Sequence, residues 1–162
     1  MPQLSNRTSK HLVIGSTEPF SGKSATVLGL ALQLRSQGID VAYAKPIGTC
    51  LSEEEDTLDE DVRFIAQTLE LGEERIRPTL FVLDEDTIQK QLAKEQLTFD
   101  QDVEKILTSQ GEDVLLIEGP GNLEEGTLFG LSLPEMAQMS QASVILVTRY
   151  HSALIVDKLL AA

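Results

Sequence analysis

The sequence predicts an α/β fold in which a parallel β-sheet is covered by helices on both faces. Short apolar runs alternate with helix-patterned segments along the chain, as in strands joined by helical crossovers. Two runs, Asp113–Glu118 and Ser143–Thr148, are apolar without alternation, which is typical of strands buried on both faces. A third observation is the stretch Ser21-Gly22-Lys23-Ser24, which lies between the first apolar run and the first helical segment.

The first part of the chain is predicted to hold two strands around one helix. His11–Ile14 forms the first strand, and Ser24–Gln37 forms an apolar-rich helix. Gly38 ends this helix, because glycine readily adopts the left-handed conformation that follows helix C-termini. Val41–Ala44 then forms the second strand.

The middle of the chain is more polar and is predicted to be mostly helical. Residues 49–58 form an acidic loop, and either Asp59 or Asp61 caps the helix that follows it. Further helices are predicted over Thr87–Glu95 and Gln101–Gln110. The apolar residues expected on the inner faces of these helices are Val62, Ile65, Ala66, Leu69, Val103, Ile106 and Leu107.

After the Asp113–Glu118 strand, the sequence predicts a glycine-rich loop and two more helices. The loop is Gly119–Gly130, and the helices are Ser132–Ser140 and Ala153–Ala162. The last helix carries no stop signal, and such a helix normally returns to another parallel strand. We therefore expect a flexible segment at 1–10 and one domain at 11–162, C-terminally incomplete, as the N-terminal part of a longer protein.

Composition narrows the classes of function. The 162 residues suit one domain, and the net charge of −13 makes nucleic acid a poor partner. No run is long enough to cross a membrane, and the first residues lack the apolar segment of a secretory signal. The one cysteine, Cys50, has no cysteine to pair with, so a cytoplasmic location is expected.

Ser21–Ser24 has the composition of a phosphate-binding turn. A glycine, a lysine and a hydroxyl residue between a strand and a helix allow backbone N–H groups and the helix dipole to hold phosphate oxygens. Lys23 is then expected to reach the β- and γ-phosphates, and Ser24 to bind Mg²⁺. The usual first glycine of this motif is Thr17 here, and Gly15 lies two residues too early.

The ends of the parallel strands are predicted to bring further charges to the same edge. They contribute Lys45, Glu118 and Arg149. Because Mg²⁺ prefers hard oxygen ligands, we expect Ser24 and Glu118 to bind it with one carboxylate of the acidic segment. The alternatives remain open at this point: Glu118 as a strand-end acid facing water, and Lys45 and Arg149 as surface cations.

The motifs together resemble the dethiobiotin synthetase-like group of P-loop ATPases. This group includes cobyrinate amidases and the N-terminal domain of long phosphotransacetylases. The segments that carry the resemblance are Val13–Ser24, Tyr43–Gly48, Ile117–Asn122 and Ile145–Arg149. The stretch Asp59–Ile65 and the pair Arg77-Pro78 resemble the phosphotransacetylase-linked branch.

The resemblance implies a P-loop NTPase-type sheet that binds ATP and Mg²⁺. Lys23 and Lys45 would be catalytic, with Lys45 placed where the synthetase binds its carbamate intermediate. The metal ligands would be Ser24, Asp61 and Glu118, with Asp56 and Asp59 competing for the place of Asp61. Nucleotide would contact Thr17, Glu18, Ser21, Gly22, Lys23, Ser24, Gly119 and Arg149. A homo-oligomer is also implied, since dimers are common in this group.

Two departures shape the functional hypotheses. Pro120 removes an N–H group from the turn after Glu118, and the acidic insert at 53–61 would repel a carboxylate substrate. The first hypothesis is therefore a regulatory or ancillary ATP–Mg²⁺-binding domain. The second is an active ligase that phosphorylates a small carboxylate or carbamate, and the third is a degenerate scaffold for oligomerisation.

Overall fold

The main sheet has four parallel strands in the order β2-β5-β1-β6. The computed structural model describes residues 10–48, 59–93, 99–150, 152–153 and 155–161. The strands are β1 (Lys10–Ser16), β2 (Val41–Ala44), β3 (Ile47–Gly48), β4 (Phe81–Val82), β5 (Val114–Glu118) and β6 (Ser143–Val147). Strands β3 and β4 form a separate small parallel pair. The predicted parallel sheet is confirmed, with β1 between β5 and β6.

The helices follow the predicted order. They are α1 (Lys23–Ser36), α2 (Glu60–Thr68), α3 (Glu85–Leu92), α4 (Asp100–Leu107), α5 (Leu133–Ser140) and α6 (Ile155–Ala161). α3 begins two residues before the prediction because the Asp84 carboxylate accepts a hydrogen bond from the Thr87 N–H group and caps it. Among the described residues, no helix has the length and apolarity that crossing a bilayer requires. The predictions for 1–9, 49–58 and 94–95 fall on residues outside the described part of the chain.

Helices cover both faces of the sheet, as predicted. On one face, Val27 and Ala31 of α1 and Val62 and Ile65 of α2 pack against the sheet. On the other face, the apolar residues of the helices belong to α4 and α5: Ile106, Leu133 and Met136. Residues of β1, β2 and β5 alternate between the two clusters, so that these strands are buried on both sides. The expectation that Ser143–Thr148 is buried on both faces is wrong, because β6 lies at the edge of the sheet and its first two residues are exposed.

A buried ion pair ties the segment after α2 to the start of β5. Arg77 Nη2 lies 3.0 Å from Glu112 Oε1, and both side chains are almost fully buried. Arg77 also donates hydrogen bonds to the carbonyls of Glu74 and Ile106. Its own N–H group donates to the carbonyl of Tyr43, so this arginine fixes the edge next to β2.

Gly15 permits a close approach between β1 and α5. A Cβ atom at Gly15 would lie 2.2 Å from Cδ2 of Leu133, which is itself buried. We expect Gly15→Ala to lower the free energy of unfolding by about 1–3 kcal/mol, measured by urea denaturation, because the displaced leucine has little room. In a Leu133→Ala background the same substitution should cost less. Equal costs in both backgrounds would contradict this account.

Candidate functional site

The predicted phosphate-binding turn lies at the carboxyl edge of the main sheet, between β1 and α1. Gly22 has φ of 100° and is the N-cap of α1, so this position favours a residue without Cβ. No side chain caps the first turn of α1. The Ser21 hydroxyl is buried and has no hydrogen-bond partner among the described residues. Backbone donors and an unpaired hydroxyl at a helix N-terminus fit an anionic phosphate group.

Ser24 and Glu118 meet at this turn. Ser24 Oγ donates a hydrogen bond of 2.8 Å to Oε1 of Glu118, and Glu118 is only 2 % exposed. The alternative of a strand-end acid facing water is therefore wrong. A serine hydroxyl beside a carboxylate offers two hard oxygen ligands, which is the donor chemistry that Mg²⁺ prefers. The residues present thus fit the predicted metal ion.

The second oxygen of Glu118 has a different partner. The hydroxyl of Tyr43 donates to Oε2 at 2.8 Å inside the protein. The pKa of Glu118 is raised, chiefly because the carboxyl group is buried, and the charge of Asp61 adds to the rise. The hydrogen bonds from Tyr43 and Ser24 and the charge of Lys45 act in the opposite direction. A nearby cation would favour the ionised form of this acid.

Lys23 lies in the same group of charges. Its Nζ donates to Oγ of Ser16 at 3.1 Å, and this hydroxyl donates to the carbonyl of Gly121 at 2.9 Å. Burial lowers the pKa of Lys23, while the charges of Glu118 and Glu125 act in the opposite direction. Lys23 and Glu118 therefore lie at one edge of the sheet, as the sequence predicted.

Lys45 is buried between two aspartates. Its Nζ lies 2.8 Å from Oδ1 of Asp59 and 2.5 Å from Oδ2 of Asp61, and the side chain is 3 % exposed. Burial alone would lower the pKa of Lys45, but the hydrogen bonds that Lys45 donates to Asp59 and Asp61 outweigh it, and the pKa is raised. The alternative that Lys45 is a surface cation is wrong, because its side chain is buried and its charge is neutralised by Asp59 and Asp61.

Asp59, and not Asp61, caps α2. The Asp59 carboxylate accepts a hydrogen bond from the N–H group of Asp61 at 2.9 Å while it also binds Lys45. The side chain of Asp61 is half exposed and bonded to Lys45. The competing ligand Asp56 lies outside the described residues. Within the described ranges, no three carboxylates, histidines or cysteines form a metal-binding group by themselves, so a cation here would need the serine hydroxyl or ligand oxygens.

Other predicted residues hold the turn in place. Arg149 Nη2 donates to the carbonyl of Phe20 at 2.5 Å, and Thr17 Oγ1 lies 2.8 Å from Thr148 Oγ1. Phe20 has φ of 56°, an uncommon conformation for a residue with a Cβ, and its side chain is exposed. Glu18 is half-buried in the same turn. β6 therefore supports the turn through side chains just beyond its end.

The backbone N–H group of Gly119 forms a hydrogen bond with the neighbouring strand β1. Its N–H group donates to the carbonyl of Ile14 at 2.8 Å, and a Cβ atom at Gly119 would lie 2.8 Å from Leu133. Its predicted contact with nucleotide therefore cannot come from this N–H group. The glycine instead allows the end of β5 to approach β1 closely.

Sequence reasoning missed three residues of this site. Tyr43, Ser16 and Glu125 were not predicted to belong to it, although each contacts a predicted residue or its neighbour. Glu125 accepts a hydrogen bond from the Gly121 N–H group, which orders the turn after Glu118. The Asn-x-x-Glu spacing at 122–125 was the available signal for that turn, since both side chains bond within it.

Comparisons with known proteins agree with this fold. The sequence matches the family model described as an AAA domain over residues 10–162. The structure is similar to the signal recognition particle receptor FtsY from Elizabethkingia anophelis, at 19 % identity and a TM-score of 0.52, covering 89 % of this chain and 44 % of that one. The same receptor in complex with GDP gives 17 % identity and a TM-score of 0.53, covering 90 % of this chain and 42 % of that one.

These two solved structures support the fold alone, because their sequence identity is low. The chain spans less than half the length of either of them. The family model, in contrast, covers all of the described residues and includes the turn, Glu118 and β6. The chain therefore belongs to this AAA domain family and is a P-loop nucleotide-binding domain.

Proposed function

We propose that this chain binds ATP together with Mg²⁺ and acts as a regulatory or ancillary domain of a dethiobiotin synthetase-like, phosphotransacetylase-associated protein. The observation that carries the proposal is the 2.8 Å contact between the hydroxyl of Ser24 and the carboxylate of Glu118 beside Lys23. A hydroxyl at the start of α1 and an acid at the end of β5 are what a Mg²⁺–triphosphate needs on its metal side.

The residues in and around the turn would have different roles in binding Mg²⁺–ATP. The N–H groups at the start of α1 would hold phosphate oxygens, and Lys23 would leave Ser16 to neutralise them. Ser24 and Glu118 would hold Mg²⁺, which when bound reduces the negative charge of the phosphates. Asp61 would act on the metal side through its charge, as it already does on Glu118. Arg149 would keep the turn closed by holding the Phe20 carbonyl.

The position of Lys45 favours a regulatory role over a carboxylate ligase. A ligase of the synthetase type would need this ammonium group for the carboxylate or carbamate. Here Asp59 and Asp61 already neutralise it within 2.8 Å, and a third carboxylate would meet two negative charges. The charge balance thus disfavours an anionic second substrate.

Calorimetric titration with Mg²⁺–ATP and Mg²⁺–ADP tests the proposal. We expect both to bind, and AMP to bind more weakly because it lacks the phosphates that the turn would hold. No heat with either Mg²⁺–nucleotide would contradict the proposal and would favour the scaffold hypothesis. Light scattering of the same sample tests the homo-oligomer that the resemblance implies.

Phosphate release separates the regulatory domain from the ligase. With ATP and Mg²⁺ present, we expect a panel of small carboxylates and amines to leave the rate of phosphate release unchanged, because Lys45 is neutralised. Asp61→Asn, which removes one of the two carboxylate charges that contact Lys45 within the described residues, is the variant most suited to reveal a hidden response. Stimulation of the unmodified protein by any carboxylate would favour the ligase instead.

A further inference from the structure

Tyr43 reaches Glu118 because of the parallel register of β2 and β5. Tyr43 stands opposite Leu116, two residues before Glu118, and both Tyr43 and Leu116 belong to the core on the α1 side of the sheet. Two residues of strand advance about 6.6 Å, which is close to the length of a tyrosine side chain. A tyrosine at this position is therefore long enough to reach the carboxylate of Glu118, which its hydroxyl contacts at 2.8 Å.

Packing alone does not require the hydroxyl group of Tyr43. The residue is 1 % exposed and lies among apolar neighbours, where phenylalanine would fill nearly the same volume. Burying a hydroxyl without a partner is unfavourable, so its bond to Oε2 of Glu118 is what makes the tyrosine tolerable there.

The two carboxylate oxygens of Glu118 therefore have different hydrogen-bond partners. Oε2 accepts from Tyr43 deep in the core, whereas Oε1 faces Ser24 at the start of α1. A carboxylate held at one oxygen has lost most of its rotational freedom about its last bond. The other oxygen is then presented in one direction only, toward the turn.

We propose that Tyr43 is a positioning residue that holds Glu118 so that Oε1 is presented to the metal ion of a bound Mg²⁺–nucleotide. This rests on the proposed function, because it concerns the same metal. Hydrogen bonds to metal-binding carboxylates commonly change metal affinity by about 10–100-fold when they are removed. Tyr43 is thus expected to act on the metal contribution to binding and not on the phosphates.

The test compares the affinity for a non-hydrolysable ATP analogue in excess Mg²⁺ and in EDTA. The dissociation constant in EDTA divided by the dissociation constant in Mg²⁺ measures the contribution of the metal. In Tyr43→Phe we expect this ratio to fall about tenfold, with the affinity in EDTA unchanged. A residue with a merely structural role would weaken both affinities or neither, so an unchanged ratio overturns the proposal.

Two further variants locate the effect. Ile65→Val perturbs the same core without touching Glu118, and it should leave the ratio as in the unmodified protein. In a Glu118→Gln background, Tyr43→Phe should change the ratio no further, because the two residues act through one carboxylate. Independent effects of the two substitutions would overturn the proposal. If the unmodified protein binds no nucleotide at all, the proposed function fails, and the role of Tyr43 fails with it.

Tyrosine fluorescence offers a readout on Tyr43 without altering it. The chain has two tyrosines and no tryptophan, so in Tyr150→Phe only Tyr43 emits. We expect its emission to change when Mg²⁺ is added to the nucleotide complex, because the charge of the carboxylate that accepts its hydrogen bond is then shared with the metal. Emission that is the same in Mg²⁺ and EDTA, while the analogue binds in both, would count against the proposal.

Discussion

Replacing Lys23 with alanine is expected to weaken the binding of Mg²⁺–ATP about 100-fold. The substitution removes the ammonium group that lies within reach of the turn and now contacts Ser16. Charge-assisted hydrogen bonds contribute about 1.5–3 kcal/mol each, and about 2.8 kcal/mol corresponds to a 100-fold change in affinity. Calorimetric titration of both proteins with the same nucleotide measures the difference.

The matched control for Lys23 is Lys105→Ala on α4. Lys105 is 74 % exposed and pairs with Asp102 on the surface, so its removal should leave nucleotide affinity unchanged. The free energy of unfolding of both variants should stay close to that of the original protein. Equal affinity of Lys23→Ala and Lys105→Ala would place the phosphates elsewhere and would end the proposed assignment of the turn.

Arg77→Ala is expected to lower the free energy of unfolding by about 3–5 kcal/mol. Arg77 is 1 % exposed, and its ion pair with Glu112 is supported by hydrogen bonds to two backbone carbonyls. Truncation leaves a buried carboxylate without its counter-charge and two carbonyls without a donor. Urea denaturation followed by circular dichroism measures the loss, which is a large part of the 5–15 kcal/mol typical of a domain.

Two variants separate the buried charge from the loss of packing. Arg75→Ala removes an arginine two residues away whose side chain is 20 % exposed and pairs with an Asp40 that is 46 % exposed, and it should cost less than Arg77→Ala. Replacing both buried partners, Arg77→Met with Glu112→Leu, should recover much of the stability. A double variant as unstable as Arg77→Ala would show that packing, and not the unpaired acid, dominates.

The same pair predicts the response to acid. Burial acts to raise the pKa of Glu112, but hydrogen bonds from the backbone and the charge of Arg77 outweigh it and lower the pKa below its ordinary value of 4.5. Its contribution to stability is therefore present above pH 4.5 and is lost as the pH falls through the lowered pKa. In Arg77→Ala this loss should begin at higher pH.

The main sheet was predictable because its strands are short, uninterrupted apolar runs with clear ends. Val114–Glu118 is bounded by a charged residue and a glycine. Because a parallel strand of this kind is buried on both faces, its sequence is a continuous apolar run without alternating polar residues. The pair β3–β4 was not predictable, since Ile47–Gly48 and Phe81–Val82 are two residues each and show no periodicity. Their pairing depends on how the chain returns after α2.

The positions of the site residues were predictable where they form a contiguous motif or directly follow a strand. Ser21–Ser24 is contiguous, and Glu118 follows from the rule that ligands bind at strand ends. The pairing of Lys45 with Asp59 and Asp61 needed the position of α2, which one sequence does not provide. Tyr43 needed the register of β2 on β5, because a shift of one residue would turn its side chain to the other face.

The placement of β1 in the middle of the sheet has a consequence for biosynthesis. Ile14 pairs with Glu118 and Ile145, which are more than a hundred residues later in the chain. At about 5–20 residues per second, the ribosome needs on the order of ten seconds to make the intervening segment. The nascent strand must wait that long without its neighbours. The apolar residues of β1 therefore stay unpaired until translation has delivered β5 and β6, and the sheet can close around β1 only late in synthesis.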